Sequence, residues 1–288
     1  MSTGAPGRYG ALARPAWLAA ATAVLAGGAL GAQRAPAGGV ALRLHPSVGD
    51  TLHTRLEQLT EITTARAGSA APKPMTTSVV VLARTIVQAS RKATTTVLTL
   101  VDSASVQSSD AHGAAMSAQA ERALRGQRLI VQLADDGSVE SARDARGTAV
   151  PRDVAEAMAA MPAVFPRRPV AVGERWQRQM PLPSAGPLGA SGNAHVRAEF
   201  RLDSLGRDGE LAFVSMQGQI ESDGVQRGVE LSGSMSGAMQ IDRARGWMTD
   251  SFFTLLIRSV MTPPSGVAMQ PMKFVTKVTQ RLRTMDKR

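Results

Sequence analysis

The chain has 288 residues, of which 43% are hydrophobic and 19% are charged, so it can bury a sizeable core and is not a disordered tail. It carries a formal net charge of +10 and no cysteine, which excludes disulfides, thiolate metal sites and cysteine nucleophiles. Only 3% of its residues are aromatic, which leaves little for stacking on nucleic-acid bases.

The N-terminus has the pattern of a secretory signal peptide. Arg8 and Arg14 precede an uncharged stretch, residues 17–30, that is rich in Ala, Leu and Val. This stretch is shorter than the ~20 residues that a bilayer crossing needs, so a single membrane span is the weaker alternative. We therefore expect an exported protein, periplasmic or extracellular, that meets no nucleic acid.

The remaining chain is expected to form one domain. We predict a signal peptide over residues 1–32, a flexible linker over residues 33–45 and a β-rich domain over residues 46–286. The small residues that follow the apolar stretch offer cleavage sites after Gly31, Ala32 or Ala37.

Alternation of apolar and polar residues dominates after the linker and predicts β-strands. Three Asp-Gly pairs lie between alternating runs and are typical of tight hairpin turns: Asp136-Gly137, Asp208-Gly209 and Asp223-Gly224. The strands and hairpins predicted in this way cover residues 51–63, 75–89, 94–105, 127–142, 174–182, 194–222, 209–242, 247–258 and 272–284. Connections this short favour an antiparallel meander.

Two regions show the alternation best. In residues 195–205, Val196, Ala198, Phe200 and Leu202 share one face. In residues 225–242 the apolar face also includes glycine, and its members are Val229, Leu231, Gly233, Met235, Gly237, Met239 and Ile241. Glycine within a strand marks a bend, a bulge or a close approach by another group, which favours a strongly curled sheet.

Two short helices are predicted among the strands. The first covers residues 117–125, with a serine cap, a Glu121–Arg125 pair and Gly126 as its stop. The second covers residues 151–161 and places Val154, Met158 and Met161 on one face. The fold class is therefore mainly β (α+β): a strongly curled antiparallel sheet or half-barrel with one or two short helices across its open side.

A short motif occurs twice. Residues 46–52 and 169–176 both give Pro, then Val-Gly followed by an acidic residue, and then an alternating strand. A glycine turn with an acidic residue can start a strand in both places. We expect one domain with a weak internal duplication over residues 46–142 and 169–258.

The order of these features resembles that of a known group of proteins. A signal peptide, two Pro/Val-Gly-acid turns, long alternating strands and Phe165-Pro166 before the second turn are similar to a group of uncharacterised exported bacterial β-proteins. In layout the chain is similar to LolA/LolB-type carriers of lipoproteins. The resemblance implies a curled half-barrel and carries over no catalytic or binding residue; the lipidated cysteine of LolB-type proteins is absent here.

Motifs for catalysis or metal binding are not apparent. The nearest approach to an esterase elbow, residues 233–237, has Met235 where the nucleophile would stand. The four histidines are widely spread, and the methionine pairs that could suggest copper, Met158/Met161 and Met269/Met272, are explained more simply by apolar packing. We expect no enzymatic activity, no metal and no cofactor.

These observations favour a non-enzymatic binding protein with an apolar, methionine-lined concavity. Its ligand would be a lipid, a lipidated protein or another apolar molecule, held by Val154, Met158, Met161, Met235 and Met239. Two alternatives remain open: a structural or interaction module of the cell envelope with a fully packed core, and a hydrolase or metal enzyme whose site is assembled from distant residues.

The last strand separates charged from apolar residues. Its cations, Lys273, Lys277, Arg281 and Arg283, lie opposite Met272, Phe274, Val278 and Leu282. A solvated face is the simpler interpretation, and peripheral contact with an anionic envelope surface is the alternative.

Overall fold

The computed structural model describes residues 39–66, 74–110, 113–148, 150, 163–182, 194–222, 229–263 and 270–285. All of them belong to one compact unit, residues 35–288. The predicted signal peptide, the predicted helix over residues 151–161 and the Asp223-Gly224 turn lie outside the described residues.

The described part of the chain contains eleven strands and one α-helix. In chain order they are β1 (Thr51–Arg66), β2 (Met75–Arg91), β3 (Thr94–Ser108), α1 (Gly113–Leu124), β4 (Arg128–Ala134), β5 (Val139–Asp144), β6 (Arg175–Pro181), β7 (Ala194–Gly206), β8 (Leu211–Ser222), β9 (Val229–Asp242), β10 (Trp247–Met261) and β11 (Met272–Met285). A single 3₁₀ turn, Arg207–Gly209, joins β7 to β8.

All eleven strands form one antiparallel sheet, in the order β5-β4-β3-β2-β1-β11-β10-β9-β8-β7-β6. The sheet therefore consists of two five-stranded meanders, β1–β5 and β6–β10. Strand β11 joins them, because it pairs with β1 on one side and with β10 on the other. The mainly β, antiparallel fold expected from the sequence is confirmed.

The register of the strands defines two faces. Residues directly opposite each other in antiparallel strands point to the same side. Leu56 lies opposite Leu282 of β11 and Val81 of β2, and we call their side the inner face. The next residue of β1, Glu57, lies opposite Arg281 and Val80 on the outer face.

The inner face carries the hydrophobic core. The larger cluster is built mainly from β6–β10 and includes Phe200, Leu202, Val214, Met239 and Ile241, each at most 4% exposed. A smaller cluster on β2–β4 consists of Val87, Val97, Leu129 and Val131. Burial of apolar surface on one side only is expected for a sheet whose other side faces water.

Contacts of residues 164 and 165 show that the sheet is strongly curled. Both side chains lie 3.5 Å from the position of a β-carbon on Gly137, in the turn between β4 and β5. The carbonyl of Val164 also accepts a hydrogen bond from the indole nitrogen of Trp176, on β6, at 2.9 Å. Strands β5 and β6 are ten places apart, which is about 48 Å in a flat sheet at about 4.8 Å per strand. The two edges can share one dipeptide only because the sheet curves around its inner face.

Residues 39–45 belong to the domain, so the predicted flexible linker is wrong for this stretch. Val40, Leu42 and Leu44 are 4%, 2% and 8% exposed and enter the larger cluster. The backbone of Val40 exchanges two hydrogen bonds with that of Val170, at 2.8 and 3.0 Å. These partners lie more than 100 positions away in the sequence, so the local Pro/Gly/Ala composition could not reveal them.

Helix α1 begins at Gly113, four residues before the predicted cap. A β-carbon at Gly113 would lie 2.6 Å from Ser108 Cβ, so the helix start packs closely on the end of β3. Glu121 accepts a hydrogen bond from the backbone N–H of Val106 at 2.8 Å. The helix thereby provides a hydrogen-bond acceptor for a backbone N–H in the part of β3 that extends beyond its pairing with β4. Covering an unpaired strand edge in this way is common.

The two Val-Gly-acid turns have the same geometry. Gly49 and Gly173 have φ angles of +92° and +87°, which glycine adopts without strain. In each turn the carboxylate accepts a hydrogen bond from a backbone N–H three residues earlier: Asp50 from Ser47 at 3.0 Å, and Glu174 from Ala171 at 2.8 Å. Each turn opens the first strand of a meander, β1 or β6.

Glycines in β9 allow a close approach by β10. A β-carbon at Gly237 would overlap the carbonyl oxygen of Phe252 and lie 2.8 Å from Phe253 Cα. Gly233 meets Leu256 and Ile257 in the same way. Of the three possibilities expected for these glycines, a bend, a bulge or a close approach, the structure shows the close approach, and its partner is the neighbouring backbone.

We expect Gly237→Ala to lower the free energy of unfolding by about 1–3 kcal/mol, because the added methyl group meets backbone that cannot rotate away. Urea denaturation of the variant beside the wild-type protein measures this. Ser236→Ala, at an exposed outer position of the same strand, is the matched control and should change stability much less. Equal stability of the glycine variant and the wild type would contradict the close packing of β9 against β10.

We also expect an acid-sensitive contribution from Glu174. Its pKa lies below the ordinary value of 4.5, first because its carboxylate accepts the Ala171 N–H and second because it pairs with Arg168 at 2.5 Å. A lowered folded-state pKa stabilises the fold above about pH 4.5, and this stabilisation is lost as the pH falls through the folded-state pKa.

The melting temperature of Glu174→Gln should therefore fall below that of the wild type at pH 7, and the difference should shrink at pH 3. Glu210→Gln, at an exposed carboxylate in the turn before β8, serves as the control. The same difference at both pH values would show that the charge on Glu174 contributes nothing.

Candidate functional site

The inner face is packed on one meander and partly open on the other. On β6–β10, most apolar inner residues are below 9% exposed. On β1–β3, several apolar inner residues are only half-buried, and we call five of them the open wall: Leu56, Ile62, Val79, Val81 and Val106. An apolar wall of this kind on a concave face is a typical ligand-binding feature.

The open wall is continuous with the packed core. Strand β11 lies between them, and its half-buried inner residues Val278 and Leu282 are apolar. Val278 lies opposite Leu255, which in turn lies opposite Met235 in the larger cluster. A ligand on the open wall would therefore rest against the methionine-containing part of the core.

The polar side chains that the structure describes on the inner face of β1, β10 and β11 carry no charge. Gln58 lies directly opposite Gln280, and the next inner residues of β1 are Thr60 on one side and Leu56 on the other. The hydroxyl of Thr284 donates to the Met248 carbonyl at 3.0 Å, and the amide of Gln58 donates to the Thr60 hydroxyl at 3.3 Å. The inner wall thus offers uncharged donors and acceptors between apolar side chains.

One inner hydroxyl differs from the others. Ser259 of β10 is 2% exposed, and among the described residues its Oγ has no hydrogen-bond partner. It lies opposite Phe274 on one side and Leu231 on the other, near the end of the sheet where Met261 is 37% exposed. A buried hydroxyl without a partner is uncommon and costs stability, so it calls for an explanation.

Charged side chains lie on the outer face. Cross-strand ion pairs join Arg84 to Asp102 at 2.7 Å, Lys277 to Glu61 at 3.0 Å and Arg281 to Asp250 at 2.8 Å. Hydrogen bonding with Asp102 raises the pKa of Arg84 above its ordinary value. The outer face is therefore the charged face of the sheet, as the sequence pattern of β11 indicates.

Two charged residues are exceptions. Among the described side chains in the strands, the register brings only Asp144 and Arg178 to the inner face, and both lie on edge strands. The carboxylate of Asp144 accepts the Arg146 N–H at 2.6 Å, and the guanidinium of Arg178 donates to the Phe165 carbonyl. Both groups are therefore engaged in local structure.

The structure divides the residues that the sequence assigned to the ligand site. Met235 and Met239 lie together on the inner face, 6% and 4% exposed within the larger cluster. Val154, Met158 and Met161 lie outside the described residues. Sequence reasoning missed the open wall, although the run Val79–Val80–Val81–Leu82 signals a strand that is apolar on both faces.

The cations of β11 lie on the outer face, opposite Phe274, Val278 and Leu282, as predicted from the sequence. Lys277 and Arg281 are paired with acids, and Arg283 lies 3.9 Å from Asp250. Contact between this face and an anionic envelope surface stays a prediction.

A cleft of about 370 Å³ includes no residue of the open wall. It is bounded by Ala41–Arg43, Asp135–Asp136 and Pro166–Pro169, and its side chains combine arginines with aspartates. Its lining has three arginines and two aspartates, and Arg168 is paired with Glu174 at 2.5 Å, so no excess charge marks the cleft as a site for a charged ligand.

The described residues contain neither a cluster of candidate metal ligands nor a helix suited to cross a membrane. No three His, Asp or Glu side chains come together there as a metal site requires. No α-helix in that part of the chain combines the length and apolar character needed to cross a membrane.

Comparison with known sequences gives one partial match. A sequence family described as a family of unknown function, DUF6263, matches residues 151–248, which is 98 of the 288 residues. The match covers β6–β9, most of the second meander. No curated protein sequence matches the chain.

Comparison with solved structures supports the fold. A structure of lipovitellin, described in terms of its lipid–protein interactions, is similar with a TM-score of 0.50 at 7% identity over 84% of this chain. The chain spans only 26% of that lipovitellin chain. DynF, from the dynemicin biosynthesis pathway of Micromonospora chersina, is 9% identical over 87% of this chain and 88% of its own, but its TM-score of 0.23 carries no argument. The lipovitellin likeness shows a shared large-sheet fold.

Proposed function

We propose that this protein is exported, is not an enzyme, and binds a lipid or another apolar ligand on the inner face of its sheet. The observation that carries the proposal is the open wall: apolar side chains on a concave face that remain half-exposed beside a packed core. The fold likeness to lipovitellin, a protein whose structure was described through its lipid contacts, supports the same ligand class.

The energetic argument rests on exposed apolar area. Removing apolar surface from water contributes roughly 25 cal/mol per Å². A ligand on Leu56, Ile62 and Val79 would cover surface that the described chain leaves half-exposed, and would gain this contribution without moving the sheet. Met235 and Met239 would form the adaptable floor beneath it, because unbranched methionine side chains adjust to varied shapes.

The remaining parts of the proposal come from the sequence. The signal-peptide pattern of residues 1–32 supports export to the periplasm or beyond. Val154, Met158 and Met161 would cover the ligand from the predicted helix. Likeness to LolA/LolB-type carriers belongs to this proposal, as does a lipidated protein as the partner and peripheral contact of the β11 cations with an anionic surface.

A structural module of the envelope is the second candidate. The dense cluster on β6–β10 favours it, because that half of the inner face is already filled. The two candidates differ at the open wall: a ligand-binding protein needs it accessible, whereas a structural module does not use it.

Nile red, an uncharged dye that becomes fluorescent in apolar surroundings, tests the proposal. We expect the purified protein to bind it and Val79→Lys to weaken binding at least about tenfold, because a cation on the inner face opposes an apolar occupant. Val80→Lys is the matched control: it changes the same residue type one position along the strand, but on the outer face. Its binding should equal that of the wild type.

Circular dichroism establishes that both variants fold. If folded wild-type protein takes up no dye, or if both lysine variants bind it equally well, the inner face is not a ligand site and the structural module is the better account.

A further inference from the structure

We infer that the ligand is an uncharged amphiphile with a carbonyl group, such as a neutral acyl ester, and that the Ser259 hydroxyl donates a hydrogen bond to that carbonyl. The inference rests on the proposed function, since it names the chemical class that the same inner face would accept. It is carried by two independent observations: the distribution of charge and the unpartnered serine.

The distribution of charge disfavours ionised ligands. An ionised carboxylate or phosphate that leaves water without a cation to pair with is strongly destabilised. Of the described cationic side chains, the register brings only Arg178 to the inner face, and its guanidinium already donates to the Phe165 carbonyl on an edge strand. Strands β10 and β11 place their described cations on the outer face, as β1 does with Arg55; Arg66, which ends β1, lies opposite Met272 at the end of the sheet.

The net charge of the chain and the charge of its inner face favour different ligands. A formal charge of +10 would by itself attract an anionic ligand to the protein. The cations of β11 lie on the outer face, where Lys277 pairs with Glu61 and Arg281 with Asp250, away from the open wall. The inner face should therefore prefer a neutral ligand, whereas the outer surface should attract anions.

Ser259 supplies the donor. It is buried between Phe274 and Leu231 on the inner face, with no partner for its Oγ in the described part of the chain. A buried hydroxyl that leaves its hydrogen bond unmade loses the stabilisation it would have in water. An ester carbonyl accepts one hydrogen bond without bringing a charge, so it satisfies Ser259 and suits the apolar surroundings.

Gln58 and Gln280 fit the same class of ligand. They face each other on the inner wall and offer amide donors and acceptors that are not charged. Gln280 lies six residues along β11 from Phe274, the partner of Ser259, which is about 20 Å, so a polar group held there would be at the far end of a long acyl chain that lies on Ile62.

Displacement of Nile red by a matched pair of ligands tests the charge argument. Methyl laurate and laurate share the same chain and differ in charge at pH 8. We expect methyl laurate to bind about tenfold more tightly or better, with an affinity that does not change between 50 mM and 500 mM NaCl. Equal or tighter binding of laurate would overturn the inference.

Ser259→Ala tests the hydrogen bond. The affinity for methyl laurate should fall about two- to tenfold, whereas that for dodecane, which has no carbonyl, should stay the same. Ser232→Ala, at an exposed outer-face serine of the neighbouring strand β9, is the control and should leave both affinities unchanged. A parallel loss for both ligands in Ser259→Ala would assign the residue a packing role instead, and no loss for either would remove it from the site.

The two proposals fail in different ways. Absence of Nile red binding in the wild-type protein would reject the proposed function before any competitor is added. Binding of Nile red that laurate displaces as well as methyl laurate would keep the ligand site and reject only the neutral ligand class.

Discussion

An eleven-stranded sheet has one apolar face that must leave water, and this chain has few described helices to cover it. Helix α1, the single helix of the described residues, packs mainly along the free part of β3. The sheet instead buries its own inner side by curling until both edges contact the same short segment, residues 164–165. The position of the core, the place of residues 39–45 and the shape of the inner face all depend on this contact.

Two local features allow the sheet to curve: glycines within β9 and irregularities in strand pairing. Gly233 and Gly237 have no β-carbon, so the backbone of β10 can occupy the space that a methyl group would fill. Register shifts interrupt the pairing of β2 with β3, β4 with β5, β7 with β8 and β9 with β10. Such bulges increase local twist and bend the strand that carries them.

Side chains fill the inner face of the two meanders to different extents. The filled half has a structural role, and the open half is the candidate for ligand binding. The meander β6–β10 contributes large side chains such as Phe200 and Met239, and these close its part of the concavity. The opposite meander contributes valine and threonine along β2 and β3, which reach less far into the interior. The open wall is the consequence, and its uncharged lining and the unpartnered Ser259 suggest what could complete it.

The sequence by itself determined the local elements of this protein. Alternation of apolar and polar residues depends on the period of a strand, and Asp-Gly and Val-Gly-acid turns depend on neighbouring residues, so the antiparallel strands, the turn at Asp136-Gly137 and the paired turns at Gly49 and Gly173 could all be predicted. The apolar face that holds Met235 and Met239 was also evident from alternation.

Only the tertiary structure decided which distant residues meet. That β11 lies between β1 and β10, that Val40 pairs with Val170, and that helix α1 begins at Gly113 against Ser108 are results of contacts across long stretches of chain. The open wall and the isolation of Ser259 likewise depend on strand order and on how far the sheet curls. A periodic sequence specifies which side chains share a face, but the depth at which that face is buried depends on what the rest of the chain brings against it.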